Sequence, residues 1–168
     1  MAMFVHLAPD NRVEKIRRNG IRRLRKATAA YPGGVFAVPV TQNFYISHQW
    51  LRELRRRGVR TFVGIYFRIP DDTTVWLGHY GQKHLEMTAA EAVGAFGAAE
   101  DRQGWQVVIP SRVDAKQIHR IRDLPQVLGW RYSPTVRGKA PCPCDFCTRG
   151  KYGAAKLRRA YRERQARG

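Results

Sequence analysis

Residues 104–110, Gly-Trp-Gln-Val-Val-Ile-Pro, are the stretch around which the fold can be predicted. The run is short, rich in β-branched residues and closed by a proline, a pattern typical of a buried strand. Residues 117–122, Gln-Ile-His-Arg-Ile-Arg, alternate polar and apolar side chains as an edge strand does. One polar side chain, Gln106, interrupts the buried strand. It is either a packed core amide or a working polar group, and this choice bears directly on function.

The remaining pattern predicts an α+β fold, with strands interrupted by helices. Further strands are expected at 3–7, 35–40, 60–69 and 74–80, the last two joined as a hairpin through Pro70-Asp71-Asp72. Helices are expected at 12–19, at 44–57 behind an Asn43 cap, and from the capping box Thr88–Glu91 to about residue 99. Since the composition changes after Ser133-Pro134, we expect a main domain over residues 1–135 and an appendix over 136–168.

Charge is the most unusual property of the composition. The 168 residues suffice for one domain with a substantial core, and 31 Lys and Arg against 13 Asp and Glu give a formal net charge of +18. Such an excess predicts a polyanionic partner, with nucleic acid favoured over an anionic membrane surface; a basic protein that is merely soluble is the alternative. With no long apolar window and no signal-peptide pattern, we expect a cytoplasmic protein outside the membrane.

Three cysteines, Cys142, Cys144 and Cys147, form the sharpest local motif. The spacing C-x-C-x2-C brings three thiolates within one turn, which is typical of a zinc knuckle with a structural role. Zinc takes four ligands, so the fourth would be His119, another His, Asp145 or water. Buried free thiols in a tight turn are the alternative.

A basic run follows the cysteines. Its residues Lys151, Lys156, Arg158, Arg159 and Arg162 belong to a helix-capable segment. Arg158 and Arg162 are i, i+4 neighbours, and their repulsion is relieved if phosphates share that face. We therefore predict a nucleic-acid contact here, with a solvated tail as the alternative.

Several short motifs together resemble the ADP-ribosyltransferase fold. They are His6 at the end of the first strand, Ile-Arg-Arg-Asn-Gly-Ile at 16–21, Gly-Val-Phe-Ala-Val-Pro-Val-Thr-Gln-Asn-Phe-Tyr at 34–45, and the late strand 106–110 followed by a basic turn. Over residues 3–121 the chain is most similar to DarT-like toxins that modify nucleic acid, and more distantly to RNA 2′-phosphotransferases. The resemblance implies a split antiparallel or mixed sheet with peripheral helices and NAD bound in a cleft.

The resemblance also implies roles for individual residues. His6 would bond a ribose of NAD, and the backbone after it, at Leu7, would hold the nicotinamide amide. Phe44 or Tyr45 would stack on nicotinamide. An arginine of the basic loop, Arg22, Arg23 or Arg25, would bind the pyrophosphate.

Gln106 stands where such enzymes carry a catalytic glutamate. A glutamine can bond ribose but supplies no negative charge to the transition state, a loss of about 3 kcal/mol or more. Three alternatives follow: the match is shifted in register, the protein binds NAD without transfer, or it is an inactivated form of a toxic enzyme. If the match holds, Gln106→Glu should gain NAD cleavage. Glu86 and Glu91 are other carboxylates, although Glu91 is explained by its helix cap.

A second polar cluster, residues 78–84, contains two histidines and a tyrosine and either lines a substrate cleft or forms a solvated loop. The function expected from all these features is NAD-dependent mono-ADP-ribosyl transfer to DNA or RNA. A toxin of this kind adds an antitoxin protein as a candidate partner. The rival is a non-catalytic nucleic-acid-binding protein with a zinc knuckle.

Overall fold

The computed structural model describes residues 1–24, 27–55, 59, 61–126, 128–130, 163 and 166. The strands are β1 (Ala2–Pro9), β2 (Val35–Pro39), β3 (Phe62–Ile69), β4 (Thr74–His79), β5 (Leu85–Thr88), β6 (Trp105–Ile109) and β7 (Ile118–Asp123). The α-helices are α1 (Val13–Asn19), α2 (Phe44–Ser47), α3 (Leu51–Arg55) and α4 (Ala89–Ala98), with short 3-10 turns at Asp10–Arg12 and Ala115–Gln117. None of the helices in this described part is long and apolar enough to cross a membrane.

The seven strands form one sheet in the order β5-β4-β6-β2-β1-β3-β7, and every neighbouring pair is antiparallel. The predicted α+β class is therefore confirmed. Strand β6, the stretch 105–109, lies inside the sheet between β4 and β2, and Val107, Val108 and Ile109 are fully buried. Strand β7 forms one edge. Both predictions made from these two stretches are correct.

The predicted hairpin between residues 60–69 and 74–80 was wrong. Strands β3 and β4 form, but β3 pairs with β1 and β7 whereas β4 pairs with β5 and β6. Seven of the eight β3 residues are buried, so this strand takes partners on both sides in the sheet interior. The turn after Ile69 therefore carries the chain across to the other half of the sheet.

The helix predicted over 44–57 is divided. Asn43 does cap its start, since its side-chain oxygen accepts a hydrogen bond from the Ile46 amide at 3.3 Å. The chain then leaves the helix at His48, whose ring bonds back to the carbonyl of Phe44, and resumes as α3 at Leu51. By contrast, the Thr88–Glu91 capping box of α4 is formed as predicted.

Gly20 ends α1 and fixes the path of the chain beyond it. Its φ of 72° lies in the left-handed region, and a Cβ there would stand 2.1 Å from the Val113 carbonyl oxygen. Ile21 then forms an isolated antiparallel bridge with Val113, with N–O distances of 2.7 and 3.0 Å. The segment after α1 is thereby held against the chain that follows β6.

The ladder between β1 and β2 is the shortest in the sheet. Only the pairs Phe4–Pro39 and Val5–Val38 belong to it, whereas β1 pairs with β3 over its whole length. Beyond Val5 the two strands lie side by side without further ladder pairs. The finer expectation of a split sheet rests on the resemblance alone.

The proposed boundary between residues 135 and 136 lies outside the described residues, as do the three cysteines and the tail residues Lys151, Lys156, Arg158, Arg159 and Arg162.

Candidate ligand-binding cavity

A cavity of about 400 Å³ opens where β1 and β2 stop pairing. Its walls are the end of β1, the helix α1, the segment after it and the start of β2. Four of the fourteen lining residues carry basic side chains, His6, Arg12, Lys15 and Arg22, and none of the fourteen carries a carboxylate. The cavity is within the usual size range of small-molecule sites, and its charge favours an anionic ligand.

His6 lines this cavity, and one hydrogen bond fixes the position of its ring proton. Its Nδ1 lies 2.7 Å from the carbonyl oxygen of Phe36. Because a carbonyl can only accept, Nδ1 carries the proton, and the neutral ring has its lone pair on Nε2. Burial lowers the pKa of His6, and the bond to Phe36 opposes that shift only in part. The ring is therefore neutral at pH 7, and no hydrogen bond within the described residues engages Nε2.

The wall that carries Arg22 is fixed by backbone contacts. Ile21, the residue before Arg22, is held by its bridge to Val113. Two residues after Arg22, the amide of Leu24 donates to the carbonyl of Gly34 at 3.0 Å. Arg22 thus belongs to a short segment that is bonded to two other parts of the chain. Such anchoring lowers the entropy cost of holding a ligand with this side chain.

The lining combines two kinds of surface. Arg and Lys side chains are suited to phosphate groups, for which arginine offers paired donors and lysine a compact charge. Ala8, Ile16, Ile21 and Val35 supply an apolar wall for a ring system. The arrangement can hold a small anion with an apolar part, which is the chemistry of a nucleotide.

Gln106 lies on the other face of the sheet. Paired residues of an antiparallel ladder point to the same face, and the pairs Val5–Val38 and Ala37–Val107 put Gln106 level with Val38 and Val5. His6 follows Val5 in β1 and so points to the opposite face, the one that α1 covers. The structure does not bring these two residues together.

Gln106 instead contacts His84, in the polar cluster 78–84. The two Nε2 atoms are 3.2 Å apart, and His84 Nδ1 donates to the carbonyl of Gln82 at 2.9 Å. His84 Nε2 is therefore the acceptor of the Gln106 amide. Gly78 allows this contact, because a Cβ there would stand 2.7 Å from the His84 ring. With His84 1% and Gln106 7% exposed, Gln106 is a packed core amide.

The aromatic pair predicted to stack on nicotinamide is also buried away from the cavity. Phe44 packs in a cluster with Leu51 and, at its margin, Leu7, and Tyr45 packs with Trp130. None of Leu7, Phe44 and Tyr45 lines the cavity. Their proposed roles toward NAD stay predictions.

Of the three loop arginines, Arg22 lines the cavity and Arg23 lies beside it, with Nη1 3.4 Å from the carbonyl oxygen of Pro110. Arg25 lies outside the described residues. Arg12 and Lys15, which also line the cavity, were given no role from the sequence. Their spacing to each other and to Asn19, by three and four residues, is the signal that they share one face.

The described part of the chain holds no group of three His, Cys, Asp or Glu arranged to bind a metal, and the three cysteines lie outside that part. Compared with known proteins, the chain matches no family model, no curated protein and no solved structure. The function is therefore argued from the cavity itself.

Proposed function

We propose that this chain binds NAD in the cavity beside His6, as a protein of the ADP-ribosyltransferase type that acts on nucleic acid. One observation carries the proposal. The resemblance assigns His6 to a ribose of NAD and one of three loop arginines to the pyrophosphate, and one of those three, Arg22, lines the same cavity as His6 although 15 residues separate them along the chain. Arg12 and Lys15 add two further cations to that lining.

The lining fits the chemical groups of the cofactor. Arg12, Lys15 and Arg22 would hold the two phosphates. The Nε2 acceptor of His6 would take a ribose hydroxyl, since Nδ1 is committed to Phe36. The apolar wall at Ile16, Ile21 and Val35 would cover a base. When bound, NAD supplies a glycosidic bond whose cleavage releases nicotinamide.

Transfer needs a negative charge that this lining does not supply. No carboxylate belongs to it, and Gln106 is engaged with His84 on the other face. A missing contact of this electrostatic kind typically costs about 3 kcal/mol or more of transition-state stabilisation. We therefore propose that the chain binds NAD and that any transfer is slow, which lies nearest to the second alternative for Gln106, NAD binding without transfer.

Calorimetric titration with NAD tests the proposal. The variant K15A/R22A removes one lysine and one arginine from the lining, and R68A/K83A removes the same two residue types from exposed positions outside it. We expect NAD to bind the parent chain and R68A/K83A alike, and K15A/R22A at least tenfold more weakly, or about 1.4 kcal/mol. ADP-ribose, which keeps the pyrophosphate, should compete, and nicotinamide alone should not.

The proposal fails if NAD produces no binding heat with a folded parent chain, or if K15A/R22A binds like the control. The rival function, non-catalytic nucleic-acid binding, is favoured by the net charge of +18. It predicts salt-dependent binding to DNA or RNA without any effect of NAD. Its zinc knuckle and basic tail lie outside the described residues.

A further inference from the structure

Three exposed cations line the cavity and three more lie close to them along the chain. We propose that this surface binds the phosphate backbone of a single-stranded nucleic acid. We define the basic rim as Arg12, Lys15, Arg17, Arg18, Arg22 and Arg23, all six exposed. The inference rests on the proposed function for the role of the cavity. It differs in its ligand, a polynucleotide, and in half of its residues, because Arg17, Arg18 and Arg23 do not line the cavity.

The rim is concentrated in a short stretch of chain. Residues 10–24 contain all six cations and only two carboxylates, Asp10 and Glu14. Glu14 forms an exposed ion pair with Arg17 at 3.8 Å, which is worth little in solution. Positive charge in this density is relieved when phosphates bind, because counterions are released from the polyanion.

The geometry directs the rim toward the cavity. Arg18 follows Lys15 by three residues on α1 and so shares its helix face, and Arg23 follows Arg22 in the anchored segment. Neither Arg18 nor Arg23 lines the cavity, whereas Lys15 and Arg22 do. A backbone bound along the rim would therefore run past the cavity mouth.

An unpaired strand fits this surface better than a duplex. Leu24, 61% exposed, stands among the cations and offers an apolar contact. Bases of a single strand can turn toward such a side chain and toward the cavity, whereas bases of a duplex are stacked inside it. A single strand therefore uses both the charge and the apolar contact of the rim.

Fluorescence anisotropy with a labelled 12-nucleotide single strand, at several salt concentrations, tests the inference. The variant R18A/R23A removes two rim cations outside the cavity lining, and R68A/K83A is the control with equal charge loss. We expect R18A/R23A to bind roughly tenfold more weakly, with a log–log salt slope smaller by about 1.4, about 0.7 for each lost phosphate contact. The control should change little, and a blunt duplex of the same sequence should bind the parent chain more weakly.

NAD titration of the same variants separates this inference from the proposed function. If R18A/R23A keeps NAD binding and loses the oligonucleotide, both stand. If no variant binds NAD but R18A/R23A still loses the oligonucleotide, the rim stands and the proposed function falls. If R18A/R23A binds the oligonucleotide like the control, and R158A/R159A/R162A abolishes binding, the basic tail is the nucleic-acid-binding surface and the inference is overturned. Equal or tighter duplex binding overturns the single-strand assignment.

Discussion

The two sides of the sheet use histidine in opposite ways. On the cavity side, one ring nitrogen of His6 is bonded to the Phe36 carbonyl, and no hydrogen bond in the described part of the chain engages the other. On the other side, His48 and His84 have both nitrogens engaged. His48 bonds the Phe44 carbonyl and the Tyr66 hydroxyl, each at 2.7 Å, and His84 bonds the Gln82 carbonyl and the Gln106 amide.

Protonation alone does not distinguish these histidines. Burial lowers the pKa of all three, and it is the largest cause in each case. All three rings are therefore neutral at pH 7. The difference lies in whether the second nitrogen is available to a ligand, and this depends on the space and the charges around the ring. His6 marks a site because it borders a cavity, while His48 and His84 hold segments of chain together.

The largest expected effect is a loss of stability in acid, and it comes from His48, on the side of the sheet without the cavity. Burial lowers the pKa of His48 to about 4, with a further contribution from the charge of Arg122. The unfolded state binds a proton below the ordinary value of 6.5 and the folded state does not, so stability is intact above pH 6.5 and falls as pH decreases toward 4. The free energy of unfolding should fall by about 3 kcal/mol near pH 4 from His48 alone. Urea unfolding between pH 4 and 8 measures it.

The variant H48L provides the control. It is less stable at pH 7 because the Phe44 carbonyl and the Tyr66 hydroxyl lose their bonds to the His48 ring. The stability that it loses between pH 6.5 and 4 should be smaller than that of the parent chain by the His48 contribution. Titration of the His48 ring by NMR gives the pKa directly. A His48 that titrates near 6.5 would contradict the burial of its ring between the Phe44 carbonyl and the Tyr66 hydroxyl.

A medium effect is expected when Gln106 is replaced by Glu. The amide now donates to His84 Nε2, and a carboxylate at this place would instead favour the doubly protonated ring. We expect Q106E to raise the pKa of His84 above that in the parent chain, as measured by NMR. Since Gln106 faces away from the cavity, NAD cleavage should not increase.

The matched control is Q106L, which lacks the amide but adds no charge and so should not raise the His84 pKa. A gain of NAD cleavage in Q106E, absent in Q106L, would mean that residue 106 reaches the bound cofactor. In that case the two sides of the sheet would form one site, and the catalytic assignment made from the sequence would stand.

The sequence predicted strands better than it predicted their partners. Local patterns identified β6, β7, the Asn43 cap and the Thr88 capping box, because each depends on neighbouring residues. The pairing of β3 with β1 and β7 depends on contacts far along the chain, so the adjacent strand β4 was wrongly chosen as its partner.

The site, too, depends in part on contacts between distant parts of the chain, which local sequence patterns do not show. His6 and Arg22 were selected from a linear motif and do share a cavity. The face on which Gln106 lies was not predictable, since it depends on registers that join three strands. A shift by one residue reverses the face of a strand residue.

The smallest effect comes from H6N, which is also the most direct test of the side of the sheet with the cavity. An asparagine amide can donate to the Phe36 carbonyl where Nδ1–H does now, but it is too short to reproduce Nε2. The bond to Phe36 is kept but the partly buried ring is replaced by a shorter side chain, so the unfolding free energy should fall by about 1 kcal/mol. NAD affinity should fall about fivefold, or roughly 1 kcal/mol, which is typical of one neutral hydrogen bond. The exposed His119 offers a matched control, H119N, that should change neither quantity. Equal NAD affinity in H6N and H119N would show that Nε2 meets no ligand, and His6 would then be structural like His48.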